Sequence, residues 1–99
     1  MKTTAPIVSS WAELLVLANQ ALDAASPTAY PRSYLQLRQV IPKIQACNEK
    51  EDPLDIRLIE NACTDFKSFY GRSLPDVAQS MASSVVWCQQ RMAAPNIEL

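Results

Sequence analysis

The 99-residue sequence predicts an all-α fold, an antiparallel four-helix bundle-like single domain spanning residues 1–99. Three observations favour this class. Apolar residues recur at intervals of three and four along four segments, no segment alternates strictly like a β-strand, and short polar or proline-containing breaks separate the segments. The 48% hydrophobic content also indicates a folded core rather than a disordered chain. Residues 1–9 and 95–99 are predicted to be loose tails.

The first two helices are predicted from cap and proline signals. Ser10 and Glu13 have the spacing of a capping box, which places the first helix start at Ser10, and Pro27 ends that helix. The second helix begins near Pro31, because proline suits the first helical position. Pro42 lies inside this second helix and removes one backbone hydrogen bond, so we expect a kink or a break near Pro42.

The third and fourth helices have clear boundaries in the sequence. Asp52 is the predicted N-cap of the third helix, Pro53 its first residue, and Gly71 a left-handed cap at its end. The fourth helix is predicted to run to about Met92 and to stop before Pro95. One arc of the third helix is predicted to be buried: Leu58, Ile59, Ala62, Cys63, Phe66, Phe69 and Tyr70.

Composition excludes several classes of function. The sequence has no histidine, which rules out histidine-based acid–base catalysis, Ser-His-Asp and Cys-His pairs and most zinc sites. A single glycine rules out glycine-rich phosphate loops, and a net charge of −1 disfavours nucleic-acid binding. We therefore expect a protein that is not an enzyme and that has no metal, no cofactor and no nucleic-acid partner.

The cysteines and the hydropathy pattern indicate a compartment. Cys47, Cys63 and Cys88 are widely spaced, form no CxxC motif and fall on apolar helix faces, so we expect buried, reduced thiols; a disulfide or a reactive thiol is the alternative. The N-terminus lacks a signal-peptide core, and no run approaches the roughly 20 apolar residues that span a bilayer. These features predict a cytoplasmic protein without a membrane partner.

The fourth helix carries the main candidate surface. Residues 77–90 form a stretch of fourteen residues without a charge, although exposed helices are usually charged. Val86 projects away from the inward stripe, and Trp87 projects to one flank. Three interpretations stay open: the helix is central in its own fold, it forms a homodimer interface, or it contacts another protein.

Two further surfaces are candidates. Leu35 and Pro42 share a face of the second helix that points away from its predicted core, so they are possible interface residues. Glu51, Asp52 and Asp55 belong to a stretch with an excess of acidic residues. They suggest an alternative function, a small inhibitor of a toxin or of a host-defence system that acts through an acidic surface.

The leading hypothesis is a non-enzymatic protein–protein interaction module, such as an adaptor, inhibitor or chaperone-like protein, that binds another protein or itself through Val86 and Trp87. A structural subunit that folds stably only with its partner is another possibility. The most distant alternative is a small helical mutase-type enzyme. Its anion-binding residues would come from one set of polar side chains: Arg32, Arg38, Lys43, Arg57 and Gln90.

Overall fold

The computed structural model describes residues 8–93, and within this range the chain forms four α-helices and no strand. Their bounds are Trp11–Ala24 (α1), Pro31–Glu49 (α2), Pro53–Tyr70 (α3) and Pro75–Ala93 (α4). Each helix packs against its neighbour in the sequence, and α1 also contacts α4. The predicted all-α bundle is therefore confirmed.

Side-chain contacts at the two ends show how the helices alternate in direction. At one end, Trp11 at the start of α1 meets Glu51 after α2, and Glu51 in turn meets Arg91 near the end of α4. At the other end, Ser26 after α1 meets Tyr70 at the end of α3. Short connections between helices produce this up-down-up-down arrangement.

The N-termini of α1 and α3 are capped much as the sequence predicts. The Ser10 hydroxyl accepts a hydrogen bond from the Glu13 amide at 3.1 Å, and an Asp52 carboxylate oxygen accepts from the Leu54 amide at 2.9 Å. The Glu13 carboxylate does not return to Ser10. It accepts instead from the amide and the hydroxyl of Ser9, at 2.8 and 2.9 Å. The glutamate of this capping box therefore binds the residue before the N-cap instead of the N-cap itself.

The end of the predicted N-terminal tail is packed rather than loose. Val8 is buried in the core, and Ser9 is held by Glu13. The rest of the two predicted tails, residues 1–7 and 95–99, lies outside the described residues.

α2 has no break at Pro42, and Gly71 does not adopt a left-handed conformation. α2 continues through Pro42 without a break. Because Pro42 is exposed, water can donate the hydrogen bond that the proline nitrogen cannot.

The prediction of a left-handed cap at Gly71 is wrong, because its φ of −57° and ψ of −30° are right-handed helical. The turn after α3 keeps a helical hydrogen bond from the Leu74 amide to the Tyr70 carbonyl, at 2.9 Å, so no reversal of φ is needed.

The core lies between all four helices, and its most buried large side chains are Leu14, Leu37, Ile44, Ile59, Phe66 and Met81. Two residues of the predicted buried arc of α3 lie outside it. Leu58 is 44% exposed and Phe69 is 40% exposed. Phe69 instead stacks on Tyr30 at 4.9 Å, because its position at the edge of the arc points it along the bundle surface.

Candidate functional site

The uncharged stretch of α4 is covered mainly by the bundle itself. α3 packs extensively against α4, and α1 makes a smaller contact with it. Of the fourteen residues from 77 to 90, only Gln79, Val86, Gln89 and Gln90 are exposed. The expected shielding on more than one flank is therefore present within one chain, and the surface left for a partner is narrow. The fully buried residues of the stretch are Ala78, Ser80, Met81, Ser84 and Cys88.

A narrow outer stripe of α4 is available for contact. Ser83, Val86, Trp87 and Gln90 line a shallow depression of about 260 Å³. Val86 is 52% exposed, and none of the residues from 8 to 93 that line the depression carries a charge. With Gln79 one turn before Ser83, these five residues are called the α4 surface below.

Trp87 belongs both to the α4 surface and to the core. Its ring meets the Trp11 ring edge-on, with centroids 4.7 Å apart, and the Arg91 guanidinium lies 5.7 Å from its centroid. One Glu51 oxygen accepts hydrogen bonds from the Trp11 indole at 2.7 Å and from Arg91 Nε at 2.8 Å, and it forms an ion pair with Arg91 Nη2 at 2.7 Å. We call Trp11, Glu51, Trp87 and Arg91 the tryptophan end. In it, the Trp87 ring is held between Trp11 and Arg91 where the α4 surface meets the bundle.

The three acidic candidates each have a partner within the chain. Glu51 is held in the tryptophan end, and Asp52 caps α3. Asp55 forms an ion pair with Lys43 of α2 at 3.8 Å. Their charges are therefore partly balanced by neighbouring groups.

Leu35 and Pro42 form a separate exposed face on α2. Leu35 is 53% exposed, and Pro42 is also exposed. Because α2 and α4 are not in contact among the described residues, the structure does not bring this face together with Val86 and Trp87.

The basic residues of the mutase hypothesis are dispersed. Lys43 pairs with Asp55 between α2 and α3, Arg57 lines a groove between α3 and α4, and Gln90 belongs to the α4 surface. Arg32 and Arg38 are exposed on α2. No cavity given by the described residues gathers these side chains around one ligand.

The groove between α3 and α4 is the larger depression, with a volume of about 540 Å³. Glu60 lies in it, accepts a hydrogen bond from the Gln89 side chain at 2.8 Å and is 4.0 Å from Arg57. The acid therefore already has partners on both helices, and the groove functions as a polar contact between them.

The three cysteines are free and buried, as predicted. Burial, with a smaller contribution from Glu60, raises the pKa of the Cys88 thiol to about 12. Burial likewise raises the pKa of the Cys63 and Cys47 thiols. Since the thiolate is the nucleophile, these thiols are poor nucleophiles at neutral pH.

Sequence reasoning did not assign Gln79, Ser83 and Gln90 to a contact surface, nor Arg91 to the tryptophan end. Ser83 and Gln90 follow Gln79 at spacings of four and eleven, a heptad-like pattern that is visible in the sequence. Arg91, which covers Trp87, gave no comparable signal. Its contact with Glu51 spans 40 residues and needs the folded bundle.

Comparison with known proteins found no matching family model, no matching curated protein and no matching solved structure. Between residues 8 and 93, no group of three or more Cys, Asp or Glu side chains is arranged to hold a metal ion. None of the four described helices is both long enough and apolar enough to cross a bilayer.

Proposed function

We propose that the protein is a non-enzymatic interaction module that binds a protein partner through the α4 surface. The single observation that supports this proposal is the exposed Val86 beside the fixed Trp87 ring, on a helix stretch without charge. Tryptophan is enriched among binding hot spots, and a side chain that is already held in place loses little entropy when a partner covers it.

The proposal includes a reducing compartment, the cytoplasm. Three free, buried thiols support it, because proteins of oxidising compartments usually pair their cysteines.

The alternative of an inhibitor acting through an acidic surface has weaker support. Glu51 and Asp52 have structural tasks at helix ends, and Asp55 is paired with Lys43. A partner that bound these carboxylates would compete with contacts inside the chain. The acidic-surface inhibitor therefore stays a prediction, and binding through the α4 surface is the function we propose.

The experiment is a comparison of two exposed valines. Val86→Glu puts a charge into the α4 surface, and Val16→Glu puts the same charge on α1, where Val16 is 58% exposed against 52% for Val86. Both variants should fold with stability within about 0.5 kcal/mol of the parent, because both sites are exposed. Tagged chains purified from the source cells under native conditions would show what each variant binds.

Some partner should co-purify with the parent chain in stoichiometric amount. We expect the Val86→Glu variant to retain at least about ten-fold less of that partner, because an unpaired charge at the centre of an interface is costly. The Val16→Glu variant should retain that partner. Equal retention by both variants, with both folded by circular dichroism, would contradict the proposal.

A further inference from the structure

We infer that the outer face of α2 binds an acidic segment of a partner protein, with carboxylates on either side of an apolar contact. This inference goes beyond the proposed function, since it concerns a second surface on a different helix. The residues that carry it are called the α2 surface below: Arg32, Leu35, Arg38, Pro42 and Ala46. All five are exposed.

The α2 surface has an apolar centre between two arginines. At 100° per residue, Pro42 and Ala46 lie within about 20° of Leu35 around the helix axis, and Leu35 is 53% exposed. Arg32 and Arg38 lie about 60° to either side of that line. An apolar group that covers Leu35 therefore meets a positive charge on each side.

These two charges are not balanced within the described part of the chain. Neither Arg32 nor Arg38 forms an ion pair with a residue between positions 8 and 93, whereas Lys43 of the same helix pairs with Asp55. The one acidic residue of α2 is Glu49, at its last position. Because exposed faces usually mix charges of both signs, two unpaired arginines beside an apolar line favour a negatively charged partner.

The positions of the arginines favour two carboxylates over one anion. Arg32 and Arg38 are six residues apart, which is about 9 Å along the helix axis, and they lie on opposite sides of Leu35. They therefore suit two acidic side chains of one segment better than a single phosphate. The planar guanidinium pairs with a carboxylate through two parallel hydrogen bonds, which adds geometric specificity.

Pro42 supplies a further reason to expect a partner at this face. Because proline has no amide hydrogen, the carbonyl of Arg38, four residues earlier, lacks its usual helical donor. A proline inside a helix is destabilising, and Pro42 is not among the core residues whose packing would offset that loss. Such departures from local preference are typical of functional positions, and an N–H of the partner segment can replace water at this carbonyl.

A lipid surface is a less suitable partner. Helices that lie in a membrane interface bury several large apolar residues, such as Trp, Phe and Leu. The apolar line of the α2 surface has one large residue, Leu35, beside Pro42 and Ala46. Charge pairing therefore contributes more here than apolar insertion, and a protein segment can match each arginine individually.

Selection from a phage-displayed library of random peptides tests the inference. Peptides selected on the parent chain are then compared on four variants whose folding is checked by circular dichroism. Arg32→Glu and Arg38→Glu each reverse one charge of the α2 surface. Arg57→Glu is the matched control on α3, where the side chain is 68% exposed, and Val86→Glu alters the α4 surface.

We expect a class of selected peptides with at least two Asp or Glu residues and an apolar residue between them. Fluorescence anisotropy should show at least about ten-fold weaker binding of these peptides to Arg32→Glu and to Arg38→Glu, because a reversed charge repels a carboxylate. Arg57→Glu and Val86→Glu should bind them within about two-fold of the parent in roughly 0.15 M salt, since distant charges are then screened.

Three results would overturn the inference. In the first, no selected peptide binds Arg32→Glu or Arg38→Glu more weakly than Arg57→Glu, so the α2 surface is not a peptide-binding site. In the second, the peptides sensitive to these variants carry no acidic residue. In the third, phosphatidylserine vesicles bind the parent chain and not the two α2 variants, while no acidic peptide is selected, which would indicate a lipid surface. None of these results affects the α4 surface, whose test is the partner lost from Val86→Glu.

Discussion

The two ends of the bundle both contain packed aromatic rings but are held together by different forces. The tryptophan end depends on one Glu51 oxygen that receives two hydrogen bonds, from Trp11 and from Arg91 Nε, and forms an ion pair with Arg91 Nη2. The opposite end, called here the tyrosine end, stacks neutral rings: Tyr30 lies 4.9 Å from Phe69, and Phe66 lies 4.5 Å from Tyr70.

Because of this difference, we expect the stability of the two ends to respond to different kinds of substitution. Ring packing at the tyrosine end is supplemented by one hydrogen bond between neutral groups, from the Ser26 amide to the Tyr70 hydroxyl at 2.9 Å. It should depend on buried volume and little on charge. The tryptophan end should depend on the identity of a single acid, because a buried indole donor has no other described partner. Trp87 connects the α4 surface to the tryptophan end, which is the more polar of the two.

The largest effect is expected at the tyrosine end. Phe66 is fully buried, so Phe66→Ala should lower the free energy of unfolding by about 3–5 kcal/mol in urea denaturation. Phe69, on the same helix and 40% exposed, is the matched control, and Phe69→Ala should cost less than about 1.5 kcal/mol. If both variants lost similar free energies of unfolding, buried side-chain volume would not be what determines stability at this end.

A smaller effect is expected from Glu51→Ala at the tryptophan end. Trp11 is only 6% exposed, so removal of its acceptor leaves a buried N–H without a partner and should cost about 1–3 kcal/mol. Glu51→Gln keeps an oxygen acceptor and should recover part of this loss. Urea denaturation measures both variants, and near-ultraviolet circular dichroism reports the Trp11–Trp87 geometry. If Glu51→Ala and Glu51→Gln are equally stable, the indole hydrogen bond is not what holds this end.

The smallest effect is expected at the start of α1, beside the tryptophan end. Hydrogen bonds from the backbone and the side chain of Ser9 lower the pKa of the Glu13 carboxyl from its ordinary value. The stabilisation is therefore present above the ordinary pKa of glutamate and is lost as the pH falls through the lowered value.

Glu13→Gln should flatten the acid side of the stability–pH curve slightly, and an NMR titration of the Glu13 carboxyl should show the lowered pKa directly. Because the carboxyl is exposed, solvent screens it and the effect on stability should be minor. A Glu13 carboxyl that titrates at or above its ordinary pKa would contradict the contact with Ser9.

Most of the fold could be predicted from the sequence, because helix boundaries depend on nearby residues. The Asp52 cap and the proline starts of α2 and α3 act over one turn, and the structure has them where the sequence predicts. Gly71 shows the limit of the same logic. A glycine after a helix permits a left-handed turn but does not require one, and the short route into α4 keeps the backbone right-handed.

The candidate site could be predicted only in part. The angle of Val86 on α4 predicts that it projects away from the core, and Val86 is 52% exposed. The sequence predicts Glu51 only as part of an acidic surface, whereas in the structure Glu51 accepts a hydrogen bond from Trp11. No local pattern distinguishes a solvated carboxylate from one that accepts a hydrogen bond from a residue 40 positions away.

The sequence by itself determined the four helices, the N-caps of α1 and α3 and the absence of charge along the middle of α4, since each of these follows from spacings of a few residues or from composition. Only the tertiary structure decided that α3 and α1 cover most of that uncharged stretch, that Trp87 is shared between core and surface, and that Glu51 joins α1 to α4. The physical reason is distance along the chain. Packing brings together side chains that no local periodicity relates, and their partners are fixed when the helices assemble.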